Sequence, residues 1–137
     1  MPGIDECLLQ AMVVPGARGA AIVDWTSGLA LGAVGETPGG DVETTAAETA
    51  ELARIAAEYP SFAPDGSAAG ALTNTGAKEL PVEDVIVTTR TGYHVMRFVE
   101  TTFDSSVFLH LWLDRETGNL ALARLRMADI AERLVLG

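Results

Sequence analysis

Two histidines, one cysteine and several neighbouring carboxylates are the residues whose types could support chemistry in this sequence. His94 and His110 fall in the runs Gly92 to Glu100 and Ser106 to Asp114, whose alternating apolar positions mark them as strands. On adjacent strands the two rings reach the same face of a sheet. A metal site would need Cys or carboxylate ligands at a fitting spacing, and none accompanies them. Packed or hydrogen-bonded structural histidines are the preferred reading, and a pH-sensitive or partner contact is the other. Cys7 lies on an apolar helical stripe with no cation beside it, which suits a buried small side chain better than a nucleophile. The carboxylate pairs Asp5-Glu6 and Glu83-Asp84 are chain neighbours that point apart, so both read as solvated surface acids.

Two glycine-rich stretches fail as catalytic motifs on spacing. Gly70-Ala-Leu-Thr-Asn-Thr-Gly76-Ala-Lys78 has the wrong glycine-to-lysine interval for a phosphate loop and runs into Leu80-Pro81 instead of opening a helix. Gly66-Ser67-Ala-Ala-Gly70 lacks the interval of a nucleophile elbow and follows no strand. The residue types point to no catalytic set, no metal and no cofactor, so an enzyme is not expected.

The elements that position these side chains follow from periodicity. Ile4 to Val14 keeps helical spacing until Pro15-Gly16 ends it. Arg18 to Trp25 and Leu29 to Val34 flank a Thr26-Ser27-Gly28 turn and read as a hairpin, apolar enough on both faces to be covered on both sides. Asp41 to Tyr59 is the clearest helix, with a capping-box spacing at Thr45 and Glu48 and Asp41 as the alternative N-cap. Pro60 stops it, and Pro60 to Pro81 reads as an extended loop. Val85 to Thr89 and Gly92 to Glu100 are strands around a turn at Arg90. In the third strand of this meander Val107, Leu109, Leu111 and Leu113 share one face, and Phe108, His110 and Trp112 the other. A last amphipathic helix runs through Leu120, Ala123, Met127, Ile130 and Leu134, capped by Asn119 or Thr117. The expected fold is α/β (α+β): a five-stranded, mostly antiparallel sheet between helices in the order α-β-β-α-β-β-β-α, a three-layer sandwich.

Whole-chain composition narrows the function. Residues 1–137 suit a single domain, and 48% hydrophobic residues supply a core that a disordered chain would lack. Nineteen acids against nine bases give a net charge of −10, which argues against nucleic acid and against anionic membrane surfaces. No apolar run approaches the ~20 residues needed to insert into a bilayer, and the first residues do not read as a signal peptide. A single cysteine fits a reducing, cytoplasmic setting. Eight of the nine bases are arginine, a composition that suggests a GC-rich bacterium.

The element order, together with Gly16-Ala-Arg-Gly-Ala-Ala-Ile-Val-Asp24, Thr26-Ser-Gly-Leu-Ala-Leu31 and Asn119-Leu-Ala-Leu-Ala-Arg-Leu-Arg126, resembles the Roadblock / dynein light chain superfamily over nearly the whole chain. Within it the chain looks most like bacterial members found beside small Ras-like GTPases. The conservon type, in which a sensor kinase-like protein is also present, is the nearest analogy. The resemblance implies a homodimer with third strands paired edge to edge and central helices side by side. On this chain that maps to Val85, Ile86, Val87 and Thr88, and to Ala47, Ala50 and Arg54. An unpaired apolar edge such as Val85-Ile86-Val87 asks for the same pairing. An alanine-rich helix packed only on its own sheet is the competing reading of the helix. The resemblance also implies a GTPase partner on the helix-bearing face, with Glu51, Arg54, Glu58 and Arg90 as contact candidates. Arg54 or Arg90 could act in trans on hydrolysis, although an exposed salt bridge is the commoner use of either. The alternative function is a profilin-like or PAS-like sensory module, with Phe108, His110 and Trp112 lining a pocket for a small ligand or the module serving a kinase partner.

Overall fold

A computed structural model describes residues 3–62, 80–100 and 106–136. Helix α1 (Ile4–Met12) leads into strands β1 (Ala17–Asp24) and β2 (Leu29–Gly35), followed by helix α2 (Val42–Glu58). Strands β3 (Asp84–Thr88), β4 (Gly92–Val99) and β5 (Val107–Asp114) and helix α3 (Leu120–Leu136) complete the chain. The sheet order is β2-β1-β5-β4-β3, and every neighbouring pair is antiparallel. This is the element order the sequence predicts. Of the expected loop, Pro60–Phe62 forms a single 3-10 turn, and residues 63–79, which carry both glycine-rich stretches, lie outside the described residues.

The period-two pattern of β5 divides the core into two layers. Leu109, Leu111 and Leu113 join Ile22 and Val95 beneath α1 and α3, where Cys7, Leu8, Ala11, Ala123 and Met127 close the cluster. Phe108 joins Val23, Met96 and Phe98 on the opposite face, under α2. Each large side chain buried there contributes about 1.5–3 kcal/mol. Helix α2 meets the sheet through Ala46, Ala50, Ala53 and Ala57, whose small side chains let the helix lie close to β1 and β2.

Two local expectations are corrected. Asp41, not Thr45, caps α2: its carboxylate accepts from Glu43 N–H at 3.2 Å and from the Thr44 hydroxyl at 2.5 Å. Thr45 already lies inside the helix, and its hydroxyl donates to Pro38 C=O at 2.6 Å. Asp84 is not a solvated acid. Its side chain is turned toward α3, where Arg124 Nε donates to it at 3.0 Å. Strand β2 has helices against both faces as expected, α1 at Gly32 and Val34 and α2 at Ala30, yet Leu29, Leu31, Ala33 and Gly35 stay exposed along this outer strand.

Asn119 caps α3, accepting from Leu122 N–H at 3.0 Å. Gly19 marks the tightest approach in the sheet: a β-carbon there would lie 1.8 Å from Glu36 C=O, so no side chain fits between β1 and the end of β2. Among the described residues no helix is long and apolar enough to cross a membrane.

Candidate interaction site

Strand β3 ends the sheet. It pairs with β4 from Asp84↔Arg97 to Thr88↔Tyr93, and its other edge has no partner strand among the described residues. Val85 and Val87 lean toward the α2 layer and Ile86 toward the α1/α3 layer, all only half-buried, while Thr88 is exposed. A hydrogen-bonded turn holds the strand's end. The Thr89 hydroxyl accepts from Gly92 N–H at 2.9 Å, and Arg115 donates to Thr89 C=O at 2.7 Å. Arg90 projects from the tip of this turn, exposed and without an ion pair to any described residue.

The outward side of α2 presents a different surface. Leu52 and Ile55 are exposed on the helix, and Tyr59 and Phe62 continue the apolar row past its end. In the sequence this row is carried by the i, i+3, i+7 spacing of 52, 55 and 59, while the alanines mark the opposite side of the helix. Glu51 and Arg54 flank this row and bind each other at 2.6 Å, the salt bridge expected of an exposed arginine. Glu58 is exposed, and so is Ala47 nearer the N-terminus. Ala50 is buried, at 2% exposure, against its own sheet. Its side chain therefore faces the protomer's own core rather than the outward side.

His94 and His110 do meet. Nδ1 of His94 and Nε2 of His110 are 3.0 Å apart, one ring nitrogen donating to the other. Trp112 stacks on His94 with ring centroids 5.9 Å apart and planes 6° from parallel. Arg18 lies over Trp112 at 3.8 Å and holds Glu36 at 3.0 Å. Together they form a row across β1, β5 and β4 on the α2 face. Burial, reinforced by neighbouring His94, lowers the pKa of His110 to about 4, and burial lowers that of His94 as well. Both rings are thus neutral near pH 7, as structural histidines require. Burial also pushes the Cys7 thiol up, away from the thiolate a nucleophile needs.

The cavity between the sheet and the start of α2, lined by His110 and Trp112, measures about 20 Å³, room for roughly one water. Ligand pockets are typically more than tenfold larger. Phe108 is fully buried under α2. Among the described residues no three His, Cys, Asp or Glu side chains converge on a metal position.

No family model matches the chain, and no curated protein sequence matches it. Its backbone does match solved structures. A Roadblock/LC7 domain from Streptomyces avermitilis superposes with a TM-score of 0.71 at 17% identity, over 97% of this chain and 95% of that one. MglB of Myxococcus xanthus gives 0.68 at 20% identity, over 97% and 82%. An MglB with a tetrameric arrangement gives 0.72 at 18% identity, over 97% and 85%. The chain has the Roadblock/LC7 fold, as its sequence resemblance implies.

Proposed function

We infer that this chain is a homodimerising regulatory or scaffold protein that binds a small Ras-like GTPase and modulates its nucleotide cycle or localisation, with no catalysis of its own. The observation that carries the reading is the unpaired apolar edge of β3 on a sheet of the Roadblock/LC7 fold. A two-fold antiparallel pairing of β3 with its copy satisfies that edge. It also sets the Glu83 end of one strand beside the Arg90 end of the other. Self-association is further supported by the MglB of the same fold that adopts a tetrameric arrangement. The GTPase partner rests on the sequence resemblance, and the outward row Leu52, Ile55 and Tyr59 gives it an apolar surface to dock on. Arg54 is engaged by Glu51, so repositioning of the GTPase's own groups, or plain docking, is favoured over an arginine supplied in trans. The sensory-module alternative is disfavoured by the one-water cavity at His110 and Trp112.

Light scattering over a dilution series tests the dimer. The expected mass is twice the 14.4 kDa chain, and Val87→Lys is expected to halve it while circular dichroism stays unchanged. A wild type that is monomeric throughout would overturn the reading. With the dimer established, pull-down against a small Ras-like GTPase in its GDP and GTP forms tests the partner.

A further inference from the structure

The sheet has a second open edge. At the end opposite β3, strand β2 pairs only with β1 among the described residues. Glu36 N–H donates to Arg18 C=O at 2.8 Å, so the Gly35 C=O of the same planar peptide points away from the sheet. Because Trp25 N–H donates across to Ser106 C=O, alternation along β1 turns Ala20 and Ile22 toward Val34 and Gly32 and leaves Ala33 facing outward. Beside this edge runs a groove lined by Leu29, Leu31 and Ala33 on the strand and by Val42, Glu43 and Ala47 on α2. The ladder to β1 skips Leu31 at a bulge; Leu31 is 47% exposed there, and Leu29, beyond it, 62%. An apolar strand edge left open in this way is a template for another strand. On the other face Gly32 lets α1 approach. A β-carbon at Gly32 would lie 2.9 Å from Ile4 Cγ2 and one at Gly35 2.9 Å from Met12 Cε, so the side of α1 that carries Asp5 overlooks the same edge.

Charge decides what fits there. Between Gly19 and Ala53 the chain carries Asp24, Glu36, Asp41, Glu43, Glu48 and Glu51 and no Lys or Arg. Arg18, just before that stretch, is bound to Glu36. Acids therefore flank the β2 edge on both faces, Glu43 from α2 and Asp5 from α1. A second copy of a chain with net charge −10, paired β2 to β2, would bring these acidic turns together.

We propose that the β2 edge is the docking strand for an extended, basic segment of a partner protein, with apolar side chains at alternate positions. The segment adds to the sheet by backbone pairing through Ala33 and Gly35. Its apolar side chains enter the groove against Leu31, Val42 and Ala47, and its Lys or Arg side chains meet Glu43 and Asp5. The site is distinct from the β3 edge, so a β3-paired dimer carries it twice, at the two outer ends of the continuous sheet.

The probe is a fluorescein-labelled peptide of alternating valine and lysine, titrated with the full chain and followed by anisotropy and amide hydrogen exchange. The wild type is expected to bind it, with protection appearing at Ala33 and Gly35. Ala33→Pro removes an outward N–H without touching the ladder to β1, and Glu43→Lys reverses the flanking charge. Each is expected to weaken binding at least tenfold while the melting temperature holds, and the peptide of alternating valine and glutamate is expected not to bind. If Ala33→Pro fails to fold, the exchange pattern of the wild type and the Glu43→Lys titration carry the test. The proposal is overturned by equal binding of the two peptides, by protection at β3 instead of β2, or by no binding up to millimolar peptide. Self-association that Ala33→Pro abolishes and Val87→Lys leaves intact would assign the edge to a second copy, and would equally overturn it.

Discussion

Protonating His110 would place a cation against His94 at a position only 3% exposed. Because its folded pKa, about 4, lies below the ordinary histidine value near 6.5, the unfolded chain binds the proton first as pH falls. The resulting stability is fully present above pH 6.5 and is lost between 6.5 and 4. The downward shift of His94 adds in the same direction. Urea unfolding at a series of pH values is expected to show a flat plateau near neutrality, then a loss on the order of a few kcal/mol down to pH 4. His110→Leu should remove most of that slope, and an unchanged slope would refute the assignment. Gly19 makes a second residue-scale test. With backbone oxygen 1.8 Å from where a β-carbon would sit, Gly19→Ala must separate β1 from the end of β2, at a cost of about 1–3 kcal/mol in the same unfolding assay.

At the scale of elements, the helices show which sequence signals carry through. Asp41→Ala removes the acceptor for Glu43 N–H and should cost about 1 kcal/mol, read from thermal unfolding. The helix itself was legible from its length and from Pro60 at its end, but the choice of cap was not. Asp41 and Thr45 both have suitable side chains. The positive-φ residues Gly39 and Gly40 turn the chain so that Asp41 enters the helix first. The two faces of β5, and the meeting of His94 with His110, were legible because side chains alternate with period two. The engagement of Asp84 was not, since Arg124 lies forty residues away on another element. Nor was the exposure of β2, because an apolar strand reads alike whether it is inside a sheet or at its rim. The outward row on α2 offers a test at this scale. Ile55→Glu should shift the melting temperature by no more than about 4 °C, since the side chain is 36% exposed, and should weaken partner capture at least tenfold.

Among the described residues the molecule is a sheet whose two outer strands have no further partner strand, with helices on both faces, and the chain carries an excess of negative charge. A dimer through β3 would close the inner edges and leave the β2 edges outermost, so one assembly could engage unlike partners on separate surfaces. The sheet order has a further effect, on the time taken to make the protein. Strand β1 pairs with β5, joining Asp24 to Val107 across 83 positions of chain (107 − 24). At about 5–20 residues per second, a ribosome needs roughly 4–17 s to reach the start of β5 after finishing β1. For the part of that interval after β2 is finished, the β1–β2 hairpin has open backbone on both sides, one of them the side that becomes the centre of the sheet. The N-terminal half therefore waits for the C-terminal strand, and that wait is when the growing chain is most open to mispairing.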